Sequence, residues 1–129
     1  MMNLLRKGNN KMSILDKIEI YKRVKGKSKM TSGDEYEVTA TYNGNTIKFP
    51  YNDNYMNNSD KRDFLYALMS DADAYCLYSD FDDFVDEFGY DDPKQAYKAY
   101  KGCEDLYYKA STLFSEEEWD ELLTELELR

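Results

Sequence analysis

The amino-acid sequence predicts an α+β domain, with an antiparallel β-hairpin over about residues 36–51 packed on a bundle of four helices, and three observations point there. Asn43-Gly44, the pair favoured by a two-residue type I′ turn, sits between two runs of alternating apolar and polar residues. Four later segments repeat apolar residues at helical spacing, each behind a capping residue. At 129 residues and 42% hydrophobic content, one cooperative core accounts for the chain.

Residues 1–12, rich in Asn, Lys and Gly, read as a flexible leader, with Met12-Ser13 as a possible second start; residues 13–129 read as a single α+β domain. Ser13 precedes Ile14, Leu15, Ile18 and either Ile20 or Tyr21 at helical spacing, which predicts a short helix over 14–24, with a strand as the fallback. Lys25-Gly26-Lys27-Ser28-Lys29 reads as an exposed basic linker running to Gly33. In the hairpin, a two-residue turn sets Tyr42 opposite Asn45. Ala40 then faces Ile47, Val38 faces Phe49 and Tyr36 faces Tyr51 on one side, while Glu37, Thr39, Thr41, Thr46 and Lys48 take the other. Pro50 requires a free edge near the end of the second strand. A lone hairpin is marginal in water, so helices must cover its apolar face.

The first of the four helices, about 59–77, opens on Ser59 and carries Phe64, Leu65, Leu68, Met69, Ala72, Tyr75 and Cys76. The second, 80–88, is capped by Asp80 and stopped by Gly89; Phe81, Phe84, Val85 and Phe88 are expected in the core. Asp92-Pro93 opens the third, 93–113, with a seam of Ala96, Tyr100, Cys103, Tyr107, Ala110 and Phe114. Ser115 and Glu118 form a capping box for the last, 115–127, with Trp119, Leu122, Leu123 and Leu126 on one face. Cys76 and Cys103 fall inside helices and read as small buried hydrophobes rather than a disulfide.

Charge is distributed unevenly. Residues 1–30 balance to +7 and residues 31–129 to −16, for the net −9. Between Asp63 and Asp92 there are ten acids and no base. Such a surface steers cationic partners and repels nucleic acid, so direct DNA binding by the acidic domain is not expected. No apolar run approaches the roughly 18 residues of a spanning helix, and the first residues are too short for a signal-peptide core; no membrane partner and a location in the host cytosol are expected.

Histidine is absent, which removes the usual general base, the Ser-His and Cys-His pairs and the commonest metal ligand. The expectation is therefore a protein that is not an enzyme and holds no cofactor. Asp71 with Asp73, or Asp82, Asp83, Asp86 and Glu87, supply carboxylates that a divalent cation or acid–base chemistry could use. The spacing argues against it: counted from Asp80, the fifth position of a calcium loop is Phe84, the twelfth is Asp91, and glycine is missing at the sixth. Gly26-Lys27-Ser28 lacks the upstream glycine and strand of a phosphate loop. The basic stretch from Lys17 to Lys29 could grip a phosphate backbone or an acidic partner, although a solvated linker explains it as well.

The acid-rich stretch has a sharper reading. Asp71, Asp73, Asp80, Asp82, Asp83, Asp86, Glu87, Asp91 and Asp92 form the candidate partner-binding surface, carboxylates on a rigid short helix and its turn. A fixed array of this kind can imitate the phosphates of a nucleic acid and enter an Arg-rich groove.

Several local patterns also bear a likeness: Thr41-Tyr42-Asn43-Gly44 with Phe49-Pro50-Tyr51, Ser70-Asp71-Ala72-Asp73-Ala74-Tyr75, Phe81 with Phe84, Glu87-Phe88-Gly89-Tyr90-Asp91, Lys98-Ala99-Tyr100 and Cys103. Over about residues 36–114 the chain resembles a family of small acidic proteins encoded by phages and prophages. The resemblance carries no catalytic motif. It implies a mobile-element gene and an inhibitor of host defence, anti-CRISPR proteins among them, with a host protein or ribonucleoprotein nuclease as partner. A phage structural or regulatory accessory protein, acting by self-association or host-factor binding through its tyrosine faces, is the alternative.

Overall fold

The computed structural model describes residues 12–53 and 59–129 and is α+β; the expected leader lies almost wholly outside the described residues. The element order is α1 (Ile14–Lys17), β1 (Glu19–Lys27), β2 (Asp34–Tyr42), β3 (Asn45–Asn52), α2 (Lys61–Leu77), α3 (Phe81–Phe88), α4 (Pro93–Leu113) and α5 (Glu116–Glu125). The three strands form one antiparallel sheet in the order β1-β2-β3.

The β2–β3 hairpin has the register read from the sequence, with Tyr42 opposite Asn45, Ala40 opposite Ile47, Val38 opposite Phe49 and Tyr36 opposite Tyr51. Asn43 and Gly44 both take positive φ, 52° and 83°, the twist a type I′ turn requires. Pro50 stands on an edge strand, where its missing N–H breaks no ladder.

The helix expected over 14–24 is corrected. Only Ile14–Lys17 is helical, capped by Ser13, whose side chain accepts from the Asp16 N–H; the chain then turns at Ile18 into β1. The open edge of β2 decides this, because pairing there satisfies the backbone of both strands, with Ile20 opposite Ala40 and Arg23 opposite Glu37. Ile20, Tyr21 and Val24 are also β-branched or aromatic, which suits a strand. Lys25 and Lys27 consequently belong to an edge strand rather than to a linker.

The main core lies between the sheet and four of the helices. Val38, Ala40, Tyr42, Ile47 and Phe49 meet Phe64, Leu65, Leu68, Met69 and Ala72 of α2, Ala110 and Leu113 of α4, Trp119, Leu122 and Leu123 of α5, and Ile14 of α1. The strongest contacts between helices are pairwise and do not by themselves make up the expected four-helix bundle. Helix α2 runs against α4, α5 meets the short α1, and α3 packs chiefly on α4, with Phe88 also against Tyr78 at the end of α2. Phe84 of α3 is fully buried but stands outside the main cluster.

Individual burial expectations need correction as well. Asp60, not Ser59, caps α2, forming a capping box with Asp63, while the Ser59 hydroxyl donates to Asp53 at 2.6 Å. Phe81 and Val85 are half-buried, Phe88 is 47% exposed, Cys76 is exposed and Cys103 half-buried. A helix of only two turns packed chiefly on one neighbour leaves part of its apolar face uncovered.

Candidate functional site

Helix α3 is positioned by its two ends. Asp80 accepts from the Asp82 and Asp83 N–H groups at 2.8 and 3.4 Å, which fixes the entry. At the exit Gly89 adopts φ 67°, and its N–H closes on the Val85 carbonyl at 2.8 Å. Asp92 then caps α4 by accepting from the Lys94 N–H at 3.0 Å. Side chains fasten the same region: the Tyr100 hydroxyl donates to the Ser79 carbonyl, bracing the loop before α3 against α4.

Aromatic rings hold α3 to α4. Phe84 lies with its centroid 5.5 Å from Tyr100, 4.8 Å from Phe88 and 6.1 Å from Tyr90, the last nearly parallel at 8°. Phe81 meets Tyr97 and Tyr100 edge-on at 5.7 and 5.3 Å, and Phe88 meets Tyr78 at 5.8 Å. Each such pair contributes about 0.5–1.5 kcal/mol beyond area burial, enough to hold a short helix in place. This cluster is a second, smaller core.

Its outer surface is acidic. Asp82, Asp83, Asp86 and Glu87 are exposed, as are Asp80, Asp91 and Asp92, and none of the seven forms an ion pair with a described residue. Asp82 with Asp86, and Asp83 with Glu87, are like-charge pairs at i,i+4, each unfavourable by about 0.2–0.5 kcal/mol. Asp86 and Glu87 also lie in the last turn, where the helix dipole favours cations and no basic residue stands. Asp80, Asp82 and Asp83 suit the helix start, so the charges that work against the helix are those of Asp86 and Glu87.

The nine sequence-predicted acids are therefore not one surface. Asp73 is corrected: it is buried, at 8% exposure, and the Arg129 guanidinium donates to both its oxygens at 2.9 and 3.0 Å while the Trp119 Nε1–H donates at 3.3 Å. It fastens the C-terminal segment to α2, with both carboxylate oxygens engaged by Arg129. Asp71 is also on α2; solvent reaches the residue, but its crowded carboxyl is pushed above the usual carboxylate range by burial and contributes to raising Cys103. The remaining seven gather on α3 and its flanking caps.

The basic arm does not neutralise them. Arg23 pairs with Glu37 at 3.0 Å and Lys27 with Asp34 at 3.4 Å, both within the sheet. Lys22 lies over the Tyr36 and Phe64 rings at 5.0 and 5.4 Å and donates to the Ser59 carbonyl at 3.4 Å. Among the described residues, no group of three or more Asp, Glu, Cys or His has the geometry to hold a metal ion.

Two arrangements escaped the sequence reading. Between α3 and the start of α4 runs an open groove of about 490 Å³, lined by Phe81, Asp82, Val85, Asp86, Tyr90, Pro93 and Ala96. The stripe Phe81, Asp82, Val85 and Asp86 is periodic, yet its partner across the turn is set by the Gly89 reversal. The second is the Asp73–Arg129–Trp119 cluster, beside a cleft of about 280 Å³. Its members are 46 and 56 positions apart, and no local pattern joins them. None of the described helices is long and apolar enough to cross a membrane. Compared with protein-family models, curated proteins and solved structures, the chain gives no significant match.

Proposed function

We propose that this chain is a phage-encoded stoichiometric inhibitor of a host defence nuclease, of the anti-CRISPR kind, whose α3 carboxylates occupy a cationic groove meant for nucleic acid. One observation carries the reading. Four exposed carboxylates, Asp82, Asp83, Asp86 and Glu87, are held on a braced helix without an ion pair to a described residue, and two of them, Asp86 and Glu87, stand in the last turn where the dipole favours cations. A partner rich in Arg and Lys would relieve the repulsion and be steered from a distance. The resemblance to phage and prophage proteins supports the class of partner, and the lack of histidine turns the reading towards binding rather than turnover.

The experiment is an inhibition titration against RNA-guided nuclease complexes. Cleavage should fall linearly and stop at a fixed ratio of chain to complex, without loss of the guide. Uninhibited cleavage by every complex in the host, at excess chain, contradicts the proposal.

The accessory-protein reading draws on one observation, the exposed rings of Tyr66, Tyr97 and Tyr108 on the helical side. Sizing with light scattering separates the two. A stable oligomer without nuclease affinity would favour the accessory role.

A further inference from the structure

We propose that the groove between α3 and the first turns of α4 is a slot for one arginine side chain of the protein partner; this rests on the reading of α3 given above and names the contact at its centre. The groove has the three parts such a side chain needs. Val85 and the fully buried Ala96 make an apolar floor for the aliphatic stem. Phe81 and Tyr90 contribute aromatic rings to the lining, and the exposed Asp82 and Asp86, about one helical turn apart, contribute carboxylates.

Arginine fits this set better than lysine. A guanidinium is planar, stacks on ring faces and bonds carboxylates two at a time, whereas an ammonium is a compact, strongly hydrated point charge. Tyr90 is prepared for stacking: one face of its ring lies parallel to Phe84 at 6.1 Å, and the residue keeps 37% of its surface exposed. Phe81 is likewise fixed from behind by Tyr97 and Tyr100. Neither ring has to be ordered when the ligand arrives. Charge complementarity also points to a protein occupant, because a nucleic-acid phosphate would meet Asp82 and Asp86 with the same sign.

The test titrates an oligoarginine and an oligolysine peptide of equal length into the full chain at about 0.15 M salt, read by backbone amide resonances. The arginine peptide should bind at least about threefold more tightly and move the resonances of residues 81–86 and 90–96. Tyr90→Ala should remove that preference and Tyr90→Phe should keep it. Asp82→Asn with Asp86→Asn, which preserve shape, should weaken arginine binding in a chain that still unfolds cooperatively. Equal affinity for the two peptides, unaffected by Tyr90→Ala, overturns the slot; the acidic-surface reading then survives if reversing Asp82, Asp83 and Asp86 to Lys still abolishes binding of both. If neither peptide binds, slot and surface reading fall together.

Discussion

A single residue can change meaning when its neighbours become visible, and Asp73 does so here. In sequence it is one of ten acids in an unbroken acidic stretch; in space it is the anchor for Arg129 and Trp119. Arg129→Ala leaves a buried carboxylate with only the indole donor, which should cost about 1–3 kcal/mol, toward the low end because the Arg129 side chain is 43% exposed. A urea midpoint equal to that of the parent chain would refute the anchor.

Tyr42 gives a second prediction at this scale. Its hydroxyl donates to Glu118 across the main core, and that contact, with burial, pushes its pKa from 10.0 up to about 12. The contribution is present in full below pH 10 and drains away as pH rises through about 12. Glu118 moves the opposite way: the Ser115 N–H first, then Tyr42, hold it below its ordinary 4.5, so its contribution is present above 4.5 and lost on acidification. Tyr42→Phe should lower stability at neutral pH by about 1–2 kcal/mol and flatten the alkaline limb between pH 10 and 12. An unchanged alkaline limb would show that the hydroxyl contributes nothing.

On the proposed function, helix α3 is the element where stability and binding pull apart. A Lys at position 87 would complement the dipole and end the like-charge pair with Asp83, so Glu87→Lys should raise stability by about 0.3–1 kcal/mol while weakening partner binding. Thermal unfolding and an inhibition titration on one sample check both halves; a variant that loses stability, or gains it at no cost in inhibition, contradicts the balance described here. Resting chiefly on α4 and outside the main core, α3 should also open locally. Its amides should exchange faster than those of Val38, Ala40 and Phe49, and equal protection would place α3 within the main folding unit.

The elements that could be read in advance were those whose signals are local. The Asn43-Gly44 turn fixes its own register, and Asp80, Asp92 and Ser115 announce the starts of three helices within a few residues. Residues 18–27 could not be read this way, since Ile18, Ile20 and Val24 satisfy both periods and the free edge of β2 decides between them. The acidic surface was legible as composition but not as geometry. Spacing could not show that Asp73 turns inward, or that Gly89 folds Tyr90 back over Phe84.

Across the whole molecule charge is separated by element. In β1, Arg23 and Lys27 pair with Glu37 and Asp34 and Lys22 lies over the rings of Tyr36 and Phe64, while the exposed carboxylates of α3 form no ion pair with a described residue. The field of such charges raises association rates and fades with ionic strength. The most direct measurement is the affinity of the proposed nuclease partner for the triple variant Asp82→Lys, Asp83→Lys, Asp86→Lys at physiological salt, with an unfolding curve recorded alongside. Loss of binding in a chain that still unfolds cooperatively is the predicted result, and undiminished affinity in the same folded variant would contradict the account.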